Sequence, residues 1–142
     1  ITQKIKLQKS GDNTYQKSGI KFTYPSRWIL SENLEDHQTM TFPTGEIRIV
    51  GDGYIFIINP NSGFGEFTGE TVKINVANQV IDGVEEINGE IRKYLLSFTL
   101  NRYDSNEFYF FRLNGSLDDG GEGDINKIRH VIMNFIETIE II

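Results

Sequence analysis

The stretch Gly19-Ile20-Lys21-Phe22-Thr23-Tyr24-Pro25-Ser26-Arg27-Trp28 decides how the chain is read. Ile20, Phe22 and Tyr24 alternate with Lys21 and Thr23, the two-residue period of a strand with one face in a core. Pro25 has no donor N–H and a fixed φ, so it ends the strand. Three residues later stands Trp28, the only tryptophan in the chain. A large ring just past a strand end suits a core anchor, because it removes about 200 Å² of mostly apolar surface from water.

Upstream, Thr14–Lys17 is a short strand that Ser18-Gly19 turns back onto Ile20–Tyr24 as a hairpin. Residues 1–13 are polar, with a brief Ile5, Leu7 alternation and a Gly11-Asp12-Asn13 turn signal. They are expected to be an N-terminal tether or edge strand, set before a single domain at 14–142. Downstream, Ile29-Leu30 begins an extended piece, and Ser31–Gln38 is expected as a helical turn or polar loop. Thr39–Phe42 and Glu46–Val50 alternate as strands. Tyr54–Ile58 is an unbroken apolar run, which predicts a central strand buried on both faces. Thr71–Val76 alternates, Ala77–Ile81 leads into a turn at Asp82-Gly83, and Asn88-Gly89 is the strongest hairpin signal. Ile91–Leu100 and Glu107–Leu113 read as an antiparallel pair. Then the period changes. Ile125, Ile128, Ile132 and Phe135 form one face of a helix that Asp124 is placed to cap. The alternation of Ile139 and Ile141 ends the chain as a strand. Strands followed by a covering helix make an α+β architecture: an antiparallel β-sheet with an N-terminal hairpin and a C-terminal α-helix.

The 142 residues suit one domain. The chain has no cysteine, which excludes disulfides, thiol catalysis and cysteine-ligated metal. The net charge of −6 argues against a nucleic-acid partner. That charge is uneven: residues 1–31 hold six Lys/Arg against Asp12 alone, and the remainder holds eight against nineteen acids. A basic arm on an acidic body steers an acidic partner or membrane surface, or else packs on its own acidic body. The chain starts at Ile1, so we expect a processed product from which a signal or lipid anchor has gone.

Gly19, Phe22, Tyr24-Pro25 and Trp28 together resemble the opening of PsbP-like domains. The Asn88-Gly89 hairpin, the paired long strands and the closing helix resemble the rest of such a domain over about residues 14–142. The resemblance implies a PsbP-like αβ sandwich, a fold similar to that of a Ran-binding protein and of DcrB-like bacterial lipoproteins. It implies a non-enzymatic binding or assembly role and carries over no functional residue, because the matching residues are structural.

Four groups in the sequence have side chains suited to chemistry or contact. The acidic loop with Asp118, Asp119, Glu122 and Asp124 is the best candidate for a cation such as Ca²⁺, which wants six to eight oxygens. Its spacing does not fit the EF-hand, and a solvated loop ending in a helix cap accounts for it, so no metal is expected. His37 and His130 have no ligand or triad spacing and read as surface residues. The loop Asn59–Gly69 carries Phe64 and Phe67, which are contact residues for a partner if exposed and core residues if folded back. Asn114-Gly115-Ser116 matches a glycosylation sequon. The expected function is a non-enzymatic binding or assembly module with a protein partner and no cofactor. It is expected as the soluble, extracytoplasmic part of an exported bacterial protein, attached peripherally to the membrane through a removed anchor. The alternatives are a small carboxylate-based hydrolase or ligand-binding enzyme, and a purely structural domain of a larger surface protein.

Overall fold

The hairpin around Gly19 forms as its alternation requires. In the computed structural model, which describes residues 12–17, 19–35, 44–61, 68–102, 107–117 and 122–142, β1 (Asp12–Lys17) pairs antiparallel with β2 (Ile20–Pro25). Ile20 and Phe22 are fully buried, and Tyr15 stacks on Phe22 with ring centres 4.8 Å apart. Asp12 and Asn13 belong to β1 rather than to a turn, because Pro25 and Tyr24 give them cross-strand partners. The chain also ends as a strand: β10 (Glu140–Ile141) pairs with the other edge of β2, closing a three-stranded sheet in the order β1-β2-β10.

A larger antiparallel sheet holds the other seven strands. These are β3 (Ile29–Glu35), β4 (Thr44–Gly51), β5 (Tyr54–Pro60), β6 (Glu70–Val76), β7 (Gln79–Asn88), β8 (Lys93–Asn101) and β9 (Phe108–Ser116). Their spatial order is β3-β4-β5-β9-β8-β7-β6. The helix α1 (Glu122–Glu137) lies on one face, with Ile128, Ile132, Phe135 and Ile136 turned to the core. Register stacks the inward residues in rows: Ile49, Phe56, Leu113 and Leu96 form one, and Ile47, Ile58, Phe111 and Phe98 the next. An α+β architecture with an antiparallel sheet and a C-terminal helix is therefore present.

Ser31–Glu35 is strand, not helical turn or loop, because every residue of β3 pairs with β4. β5 is central, but only Tyr54, Phe56, Ile58 and Pro60 are buried, while Ile55 and Ile57 are half-exposed on the opposite face. Asp82-Gly83 sits inside β7. The turn is Ala77-Asn78, where both residues have positive φ (48° and 61°), the type I′ geometry that joins strands through two residues. Gly83 answers to packing: a Cβ there would lie 2.3 Å from Ile74 Cδ1. Finally, Asp124 is the third residue of α1 rather than its cap. The Asn88-Gly89 hairpin exists in a longer form, with strand pairing resuming only at Lys93. Asn88 Oδ1 accepts from the N–H groups of Glu90 (3.1 Å) and Ile91 (3.3 Å), an Asx turn that keeps Ile91 out of β8.

Candidate functional site

The small sheet, α1 and the β2–β3 turn enclose a groove of about 900 Å³. Its floor is aromatic, made of Phe135, Phe56, Tyr54 and Trp28. Phe135 lies 4.7 Å from Phe56, and Trp28 packs edge-on against Phe56 at 5.3 Å and stacks on Tyr54 at 5.4 Å. Behind the floor the fully buried Phe22 meets Phe135 edge-on at 5.3 Å. This run of rings joins the small sheet, helix and large sheet into one body. The walls are polar: Thr14, Thr23 and Lys21 from the small sheet, Lys127 and Asn134 from the helix, and Thr138 just past its end. Thr138 fixes the helix end to β2, since its Oγ1 accepts the Thr23 N–H at 3.1 Å and donates to the Phe135 carbonyl at 2.7 Å. The two sheets are tied together at the far edge of β1, where Tyr15 Oη (2.9 Å) and Lys17 Nζ (3.2 Å) both donate to Glu32 of β3.

One rim of the groove is built on Trp28. Its ring lies flat against the backbone of Gly51, where a Cβ would come within 2.3 Å of Trp28 Cδ1. The next residue, Asp52, takes a positive φ of 53° in the β4–β5 turn and aims its carboxylate at the ring. Asp52 Oδ2 accepts from Trp28 Nε1 at 2.9 Å and from Arg27 Nε at 2.7 Å. Hydrogen bonds from Arg27 first and Trp28 second hold the Asp52 carboxyl below its ordinary range. With both donors on one oxygen, the carboxylate serves as the acceptor that holds Arg27 and Trp28 at this rim.

A second polar cluster sits on the other flank of the helix. Glu85, on the inward face of β7, is only 9% exposed. Its carboxylate accepts from Arg129 Nε (2.9 Å) and Nη2 (2.5 Å) of α1 and from the Tyr94 hydroxyl of β8. The Arg129 fork holds the Glu85 carboxyl below its ordinary value against the opposing effect of burial. Burial and the adjacent carboxylate push the Tyr94 phenol well above its ordinary range. A bidentate arginine and a hydroxyl occupy the lone pairs, so the cluster works as a clamp between helix and sheet.

The residues singled out from sequence fall as follows. Trp28 is buried at 5% exposure, as an anchor should be. Phe64, Phe67, Asp118, Asp119 and His37 lie outside the described residues, as does the side chain of Glu122. Asp124 borders the groove at the N-terminal end of α1. Among the described residues no group of three or more acids, histidines or cysteines is arranged to hold a metal. His130 is exposed, its Nε2 3.3 Å from Asn134 Nδ2 one turn on. The sequon Asn114 lies within β9 with its amide donating to the Ile55 carbonyl at 3.3 Å, so the sequence match is a strand residue engaged in the sheet.

Asp52, Glu85, Tyr94 and Arg129 have shifted titration through one another or through Arg27 and Trp28, and their local sequence does not signal it. Asp52 sits in Gly51-Asp52-Gly53, which reads as a strand breaker. Glu85 and Arg129 are 44 residues apart, and nothing in either local pattern signals the other. Comparisons of the chain with protein-family models, with curated proteins and with solved structures found no match.

Proposed function

We propose that the chain is a non-enzymatic binding or assembly module, built as a PsbP-like αβ sandwich, that holds a protein partner in the groove between the small sheet and α1. The observation that carries this reading is the groove itself: about 900 Å³ over a floor of interlocked rings, with polar walls drawn from two elements. Concave sites with an apolar base and a few placed polar groups are where proteins hold ligands. The resemblance at Gly19, Phe22, Tyr24-Pro25 and Trp28 supports the family and its tendency toward assembly roles. On this reading the module works outside the cytoplasm, as the soluble part of an exported protein anchored upstream.

Photo-crosslinking tests it. A benzophenone side chain at Asn134, exposed on the groove wall, should give a discrete protein adduct in the source cells. The same side chain at Arg48, exposed on the far face of the large sheet, should give none. Equal adducts from both positions, or none from Asn134, would count against the groove. Hydrolysis of a test ester or phosphate that disappears in Asp52→Asn would replace this reading with a carboxylate enzyme.

A further inference from the structure

The outermost strand of the large sheet, β6, ends the order β3-β4-β5-β9-β8-β7-β6 and, among the described residues, has a neighbour on one side only. The type I′ turn at Ala77-Asn78 makes Val76 and Gln79 the closing hydrogen-bonded pair of the hairpin. Hydrogen-bonded and non-bonded pairs alternate along an antiparallel ladder. Val76, Ile74, Val72 and Glu70 therefore give their N–H and C=O groups to β7, and those of Thr71, Lys73 and Asn75 point away from the sheet. No backbone bond from these three residues to another described segment is formed.

Sheet edges of this kind are usually blunted by a proline, a bulge or an unpaired lysine. β6 has neither proline nor bulge, and its register with β7 is continuous over seven residues. Its one lysine, Lys73, is neutralised by Asp82 across the hairpin at 2.5 Å. With Asp82 taken by Lys73 and Glu85 by Arg129, the β6–β7 hairpin keeps Glu70 and Glu86 as acids with no basic residue of its own left to offset them. At its turn end it borders an open cleft of about 440 Å³ whose other wall is Ile136 and Glu137. Glu137 ends α1, whose last turn holds no basic residue, so the negative helix terminus adds to the acidic charge.

We infer that the β6 edge takes an extended, basic segment of a partner protein as an added antiparallel strand. Main-chain bonds to Thr71, Lys73 and Asn75 give the affinity, as in strand addition generally. Apolar side chains of the segment cover the half-exposed Val72, and a Lys or Arg reaches the cleft at Glu137. A second copy of this chain fits less well: a two-fold pairing centred on β6 sets Lys73 opposite Lys73 and gives the acidic hairpin no basic partner strand, and like charges directly opposite destabilise a sheet. The edge shares no lining residue with the groove, and the inference does not rest on that site.

The test is a titration of the ¹⁵N-labelled domain with a synthetic peptide alternating valine and lysine, and with its valine–glutamate counterpart. The lysine peptide should shift the amides of Thr71, Lys73 and Asn75 and slow their hydrogen exchange at least tenfold, while the glutamate peptide should leave them unchanged. Lys73→Pro removes an outward N–H without touching the ladder to β7 and should weaken binding at least tenfold. Glu137→Lys, far from any strand bond, should weaken it severalfold with the fold intact. Equal response to both peptides, no response, or shifts confined to the groove would overturn the proposal. So would a concentration-dependent dimer in sedimentation equilibrium that Lys73→Pro abolishes while the lysine peptide does not bind.

Discussion

The two flanks of α1 are fastened to the sheets by opposite means. On the Phe135 side the contact is a run of rings from Phe22 through Phe135 and Phe56 to Trp28. On the Arg129 side it is a guanidinium held by one nearly buried carboxylate and backed by a phenol. Burying rings removes apolar surface from water at little desolvation cost. Burying a carboxylate costs free energy that only its partners recover, so such a contact depends on every member being present. The aromatic side should therefore be strong, with pH acting on it only through the Asp52 carboxylate at its Trp28 end. The ionic side should fix where the helix sits while adding less net stability.

Truncating the aromatic side gives the largest expected effect. Trp28→Ala should cost about 3–5 kcal/mol, the range for removing a buried large ring. Urea unfolding followed by circular dichroism measures it, and a cost under about 1 kcal/mol would mean that the rings are not what holds this flank. Arg129→Met comes next. It leaves Glu85 without its cation, and we expect a loss of about 2 kcal/mol, since the arginine is partly exposed and water replaces some of its contacts. Adding Glu85→Gln to Arg129→Met should recover part of that loss, because an amide still accepts from Tyr94. If the double variant is worse than the single one, the carboxylate is not the source of the penalty.

Gly51→Ala sharpens the aromatic side without removing any ring. The new methyl would lie 2.3 Å from Trp28 Cδ1, so the indole must shift. Overpacking of this kind costs about 1–3 kcal/mol. Trp28 fluorescence should change along with the unfolding midpoint; an unchanged spectrum would place the ring away from that backbone.

The last and smallest effect is pH dependence, and on the ionic side it belongs to Glu85 and Tyr94. Glu85 has a folded-state pKa below its ordinary value of 4.5. Its contribution is present above that value and is lost as pH falls through the lowered one. Tyr94 is raised from its ordinary value of 10, so its share is present below pH 10 and declines above it. Wild type should lose stability faster than Arg129→Met between pH 5 and 3. Equal acid slopes for wild type and Arg129→Met would show that Glu85 is no more than a solvated acid.

The legible parts of the fold are those where one face of a single element meets the core. The alternation of Ile20, Phe22 and Tyr24 and the helical spacing of Ile125 to Phe135 needed no partner to be read. Ser31–Glu35 was missed because its strand state rests on pairing with β4 rather than on its own polar residues. The glycine pattern misled at Asp82-Gly83, where the missing Cβ makes room for Ile74 instead of making a turn. Ala77-Asn78, without glycine, takes the left-handed conformation that the turn demands.

The candidate sites were less legible for the same reason. Trp28 could be named as an anchor from its size and its place after Pro25. That Asp52 would receive its indole N–H depended on two turns meeting in space. By itself the sequence determined the α+β class, the antiparallel pairing of the two long strands, the amphipathic helix and the closing strand, since each follows from a local period. Only the tertiary structure decided that Glu85 meets Arg129, that a groove opens beside the rings, and that β6 lies at an edge. Periodicity reports which side of a segment leaves water, whereas these features depend on which distant segment arrives there.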